Sequence, residues 1–115
     1  MHSEYKRIVA HSDRAILFIH GILGTPNHFK ALVPLIAEDI SVYNILLDGH
    51  GKGAKEFSKT SMKKWKKQVA DAVELLSQTH DVIYIVAHSL GTLLAIEQAV
   101  KCDKIAKLFL LAVPL

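Results

Sequence analysis

Ser89 stands in the run Ala87-His88-Ser89-Leu90-Gly91, between the apolar stretch Val82-Ile83-Tyr84-Ile85-Val86 and a Leu-, Ala-, Ile- and Glu-containing stretch from Thr92 to Val100. Five β-branched and aromatic residues in a row predict a buried strand. The stretch after the serine suits a helix. A serine on so tight a strand-to-helix turn is expected in a strained backbone conformation, with its hydroxyl pushed clear of the sheet. Small residues on either side let strand and helix come close enough for the turn to exist. The start of the helix then points free N–H groups and a positive dipole end at any charge that develops beside the hydroxyl. This is the sequence form of a nucleophile elbow, and its chemistry is acyl transfer through a serine. The alternative is a serine that only caps the helix.

The elements that must hold such a turn alternate along the whole chain. Ala15-Ile16-Leu17-Phe18-Ile19 is an apolar run ending at His20-Gly21, and residues 42–47 form a second, closed by Asp48-Gly49-His50-Gly51. A helix is expected from about Pro26, with Thr25 as N-cap and Pro34 kinking or dividing it. A longer one is expected over residues 61–79. There Met62, Trp65, Val69, Ala72, Val73 and Leu76 recur every three or four residues as a stripe that packs on a sheet. Residues 107–113 read as a last strand and residues 5–9 as an antiparallel edge strand before a Ser12-Asp13 turn. Strands apolar on both faces, separated by helices, predict an α/β fold: a three-layer sandwich around a mainly parallel sheet.

The 115 residues make one small domain, spanning residues 1–115, with no repeat or linker. Half are hydrophobic and 22% charged, which excludes a disordered chain. No apolar run approaches the roughly 20 residues that span a bilayer, so no integral membrane segment is expected. The N-terminus has no apolar run of signal-peptide length behind it, and the single cysteine, Cys102, fits a reducing compartment; the expected location is cytoplasmic. Seven of the 14 basic residues are lysines between Lys52 and Lys67, and of these Lys63, Lys64, Lys66 and Lys67 surround Trp65 as a solvated helix face. No recognition motif accompanies them, so no nucleic-acid partner is expected. The seven histidines show no metal-ligand spacing.

Three local motifs, His20-Gly21-Ile22, Gly49-His50-Gly51 and Ala87-His88-Ser89-Leu90-Gly91, stand in order on successive strand ends and together resemble the α/β-hydrolase family. Within it the chain is most similar to carboxylesterase and monoacylglycerol-lipase-like serine esterases, over residues 15–115. One departure is Ala87, where the elbow's first glycine is usual. The resemblance implies that Ser89 is the nucleophile and that a small-molecule carboxylic ester is the substrate. It also implies that the backbone N–H groups of Ile22 and Leu90 hold the oxyanion. It implies no cofactor. His20, His50 and His88 read as structural, and Trp65 as core.

In that family the catalytic acid and base follow the serine in the chain. Here the last histidine is His88 and the last acidic residue Asp103. The expectation is therefore the N-terminal half of an α/β-hydrolase fold, inactive alone because serine without a base is a poor nucleophile. The competing expectation is a non-catalytic binding or assembly module. The sheet edge after Val113 would serve either, by pairing with a missing C-terminal half or with a second copy in an edge-strand dimer.

Overall fold

The computed structural model describes residues 3–114. A five-stranded sheet is built from β1 (Tyr5–Arg7), β2 (Arg14–Ile19), β3 (Ser41–Asn44), β4 (Val82–His88) and β5 (Ile105–Leu111), in the order β1-β3-β2-β4-β5. Only β1 runs antiparallel to its neighbour; the other pairings are parallel. The mainly parallel α/β fold and the antiparallel edge strand are thus as expected.

Two helices, α2 (Met62–Ser77) and α3 (Leu90–Lys101), cover one face. The stripe read from the sequence faces the sheet, with Trp65, Val69, Ala72, Val73 and Leu76 buried against Leu17, Ile83 and Ile85. Ser61 caps α2, its hydroxyl accepting from the Lys64 amide at 3.3 Å. Lys63, Lys64, Lys66 and Lys67 are exposed around buried Trp65, so the lysine run is a solvated face. The third layer lies over β2 and β3 on the opposite face, where Phe29, Val33 and Ile36 pack on Phe18 and Val42.

That third layer is not the helix expected from Pro26. It is two 3-10 turns, Pro26–His28 and Val33–Leu35. Pro34 has no N–H to continue a helical ladder, and its ring excludes the α-helical path of the preceding turn. Thr25 does cap the first turn, accepting from the Asn27 amide at 3.2 Å. Strand β3 also ends sooner than the apolar run, at Asn44. The amides that would extend it go elsewhere, Leu46 to a Glu4 carboxylate oxygen at 3.1 Å and Leu47 to His20 Nε2 at 3.0 Å. Strand β5 begins at Ile105 rather than Lys107, and the short helix α1 (Ala54–Phe57) stands within a stretch read only as polar.

Behind β4 and β5 the opposite face has much less cover. Phe109 and Leu111 are about half exposed, at 51% and 48%. Both stand on β5 beside Val86 and His88 of β4. The far edge of β5 has no strand partner among the described residues.

Candidate active site

The elbow forms because β4 runs directly into α3 with one residue between them. That residue, Ser89, has φ 53 and ψ −121, a conformation that L-residues rarely adopt. Its hydroxyl makes no cap hydrogen bond to the helix, so the capping alternative does not hold. Instead the helix start closes on the Ser89 carbonyl, which accepts from the Thr92 amide at 3.0 Å and the Thr92 hydroxyl at 2.6 Å. The Ser89 amide donates to the Leu111 carbonyl at 2.8 Å, tying the turn to the end of β5.

Two glycines admit the approach. A Cβ on Gly91 would stand 2.5 Å from the Ile19 carbonyl oxygen, and one on Gly21 would stand 3.0 Å from the Ser89 Cβ. The loop after β2 therefore lies directly against the serine, held by a turn in which the Gly24 amide donates to the Gly21 carbonyl at 2.9 Å. Ala87, at the elbow's first small position, is wholly buried. Ile22 follows Gly21 in this loop with its side chain half exposed, and Leu90 is the first residue of α3. The first amides of a helix have no partner within it, so the Leu90 N–H belongs to the group left free there. Ser89, Ile22 and Leu90 thus come from two loops that meet at one end of the sheet.

The histidines around the serine hold loops in place. His20 is fully buried; its Nε2 accepts from the Leu47 amide, which leaves Nδ1 to donate to the Gly21 carbonyl at 2.9 Å. Burial is the main reason its pKa is lowered to about 4, with nearby His50 and His28 lowering it further against the Gly21 hydrogen bond, so the ring is neutral near pH 7. His50 is buried beside it, ring centroids 4.8 Å apart, with Nδ1 3.1 Å from the Asp48 carbonyl oxygen. Trp65 donates to that same carbonyl at 2.9 Å, a core residue with a satisfied polar end. His88 meets His28 edge-on at 5.8 Å, and its buried Nδ1 has no partner among the described residues. The pairing of His20 with the Leu47 amide was not readable from either local motif, because it joins two loops 27 positions apart in the chain. Among the described residues no group of histidine, cysteine or acidic side chains could hold a metal ion.

A family model described as "Alpha/beta hydrolase family" matches residues 16–114. No curated protein matches the chain. Among solved structures the chain is similar to one from work on LipS and LipT, two metagenome-derived lipolytic enzymes (TM-score 0.82, 22% identity, covering 93% of this chain and 44% of that one). It is also similar to Est1E from Butyrivibrio proteoclasticus, solved with ferulic acid bound (TM-score 0.74, 23% identity, 92% and 46%). A third is a thioesterase domain from the curacin biosynthetic pathway (TM-score 0.74, 24% identity, 100% and 47%). The chain spans under half the length of each of these structures.

Proposed function

Because the chain belongs to the alpha/beta hydrolase family, we propose that it carries the nucleophile half of a serine hydrolase acting on carboxylic esters. Ser89 Oγ adds to the ester carbonyl, the N–H groups of Ile22 and Leu90 receive the charge that forms on its oxygen, and the alcohol leaves as the acyl-enzyme forms. Water then releases the acid. The observation that carries this reading is the positive-φ Ser89, whose hydroxyl caps nothing while the Gly21 loop is packed against it. Losing one oxyanion donor in such sites costs roughly 3–4 kcal/mol of barrier, so the loop would be part of the machinery alongside the hydroxyl.

The proton on Oγ needs a base. No histidine follows His88 and no acidic residue follows Asp103, so these 115 residues alone turn over esters poorly. The proposal therefore requires that the remaining catalytic groups be supplied by other polypeptide, for which the edge of β5, without a strand partner among the described residues, is the place to join. A fluorophosphonate probe with p-nitrophenyl acetate tests the proposal. Slow labelling confined to Ser89, abolished in Ser89→Ala and accelerated at least about 100-fold when a longer chain supplies a base, is the expected result. Labelling that persists in Ser89→Ala refutes it.

The half-exposed Phe109 and Leu111 favour a second reading, a non-catalytic assembly module in which two copies pair through β5. Absence of labelling in every longer form, with a stable dimer, would favour that reading. Cys102, half-buried and free, supports a reducing compartment such as the cytoplasm, and no helix among the described residues is long and apolar enough to cross a membrane.

A further inference from the structure

One buried ring pins the loop after β2 to the loop after β3. His20 Nδ1 donates to the Gly21 carbonyl at 2.9 Å, and its Nε2 accepts from the Leu47 amide at 3.0 Å. These roles have no slack. The Leu47 amide can only donate, so Nε2 must stay without a proton. A proton there sets N–H against N–H in the interior, and one of the two loops must withdraw.

The anchoring of each loop decides which one gives way. The loop after β3 is tied to α2. The Asp48 amide donates to Gln68 Oε1 at 2.6 Å, Gln68 Nε2 to the Leu46 carbonyl at 3.3 Å, and Trp65 Nε1 to the Asp48 carbonyl at 2.9 Å. The loop after β2 has a turn of its own at Gly21–Gly24, and its outer residues Ile22 and Leu23 are 51% and 73% exposed. Leu23 also has φ 59, a left-handed strain that opening would relieve. A protonated ring keeps its Nδ1–H on Gly21, so ring and loop leave together.

The surroundings offer such a proton no counter-charge. His50, on the loop after β3, has its ring 4.8 Å from that of His20, and His28 stands on the first 3-10 turn; both oppose a positive charge there. From β4, His88 meets the ring of His28. From α2, Trp65 is uncharged and Lys64 is engaged with Asp48 at 3.9 Å. α3 brings Gly91 against the His20 carbonyl and has no charged side chain before Glu97. No carboxylate acts on the ring. A charged His20 is therefore accommodated only where water reaches it, with the loop open.

We propose that His20 is a positioning residue that works as an acid-released latch: a proton taken from solvent at Nε2 breaks the bridge to Leu47 and frees the loop carrying Gly21 and Ile22 from its place against Ser89. The consequence for chemistry rests on the roles of Ser89 and Ile22 proposed above; the release of the loop does not. A closed ring that titrates at about 4 and an open one at the ordinary 6.5 raise the opening constant about 20-fold from pH 7 to pH 5.

Hydrogen exchange followed by NMR on the 115-residue chain reads the opening at the Leu47 amide. Its protection, corrected for the intrinsic effect of pH, should fall about 20-fold between pH 7 and pH 5. The fall should be unchanged in about 1 M urea, because a loop opening exposes little surface, whereas amides between β2 and β4 that exchange through unfolding respond to urea. His20→Gln retains an acceptor and a donor but takes up no proton, and its Leu47 protection should be the same at both pH values. Flat protection in the unmutated chain, a fall that grows with urea, or an equal fall in His20→Gln overturns the latch; the first two need no variant to fold. Fluorophosphonate labelling reads the site separately. Labelling of Ser89 in the unmutated chain, relative to His20→Gln, should be lost progressively from pH 7 to pH 5. Equal labelling profiles in the two chains overturn the control of chemistry by the latch. Release of the loop with no labelling of Ser89 at any pH supports the latch and removes the catalytic proposal.

Discussion

His20 shows how one side chain at this site ties stability to pH. Its ring is buried and neutral, linking the Gly21 carbonyl to the Leu47 amide, and its pKa is lowered to about 4 from 6.5, chiefly by burial. Between those two values the unfolded chain binds a proton that the folded chain does not. Stability from this group is therefore complete above about pH 6.5 and is lost as pH falls toward 4. The span corresponds to about 3 kcal/mol. Urea unfolding between pH 7 and 4 should show that decline, and His20→Gln should be less stable at pH 7 yet flatter across the same window. A variant whose profile runs parallel to that of the unmutated chain would refute the assignment. The two strand-end motifs made the placement of Ser89, Ile22 and Leu90 legible, their roles being the proposal, because a tight strand-to-helix turn and a glycine loop are local chemistry. The partner of His20 was not legible, since it depends on how two distant loops meet.

Elements were readable to the extent that their cause was local. The stripe Trp65-Val69-Ala72-Val73-Leu76 and the apolar run before Ser89 define α2 and β4 from their own residues. The helix expected from Pro26 broke into turns at Pro34, and β3 does not run on past Ile45 because Glu4 and His20 capture the amides of Leu46 and Leu47. Neither capture leaves a trace in local periodicity. A buried pair joins elements in the same nonlocal way. Ser41, at the start of β3, lies with its Oγ 2.7 Å from His80 Nε2, just past α2, and accepts from the Val9 amide, just past β1, at 2.9 Å. Ser41→Ala strands the imidazole nitrogen and the amide together. It should cost about 1–3 kcal/mol in chemical denaturation, with the unfolding still a single transition. A loss below a few tenths of a kcal/mol would mean that this junction is held by packing alone.

For the molecule as a whole, the distribution of apolar surface matters most. One face of the sheet is sealed by α2 and α3, whereas the part of the other face behind β4 and β5 exposes Phe109 and Leu111 beside a free strand edge. Exposed apolar strand edges recruit other polypeptide. Sedimentation at rising concentration should therefore show self-association of the 115-residue chain. Phe109→Lys with Leu111→Lys should shift it toward monomer while leaving the helical signal in circular dichroism unchanged. A chain that is monomeric without these changes would show that the edge is blunted in some other way.

The hydrogen bond from the Ser89 amide to the Leu111 carbonyl makes the elbow answerable to the chain's tail. Whatever steadies β5 also steadies the Ser89 backbone, and fraying at its end would slacken the turn that presents the proposed nucleophile. Recruitment of further polypeptide along that margin would thus tune reactivity mechanically, before any proton-accepting group arrived.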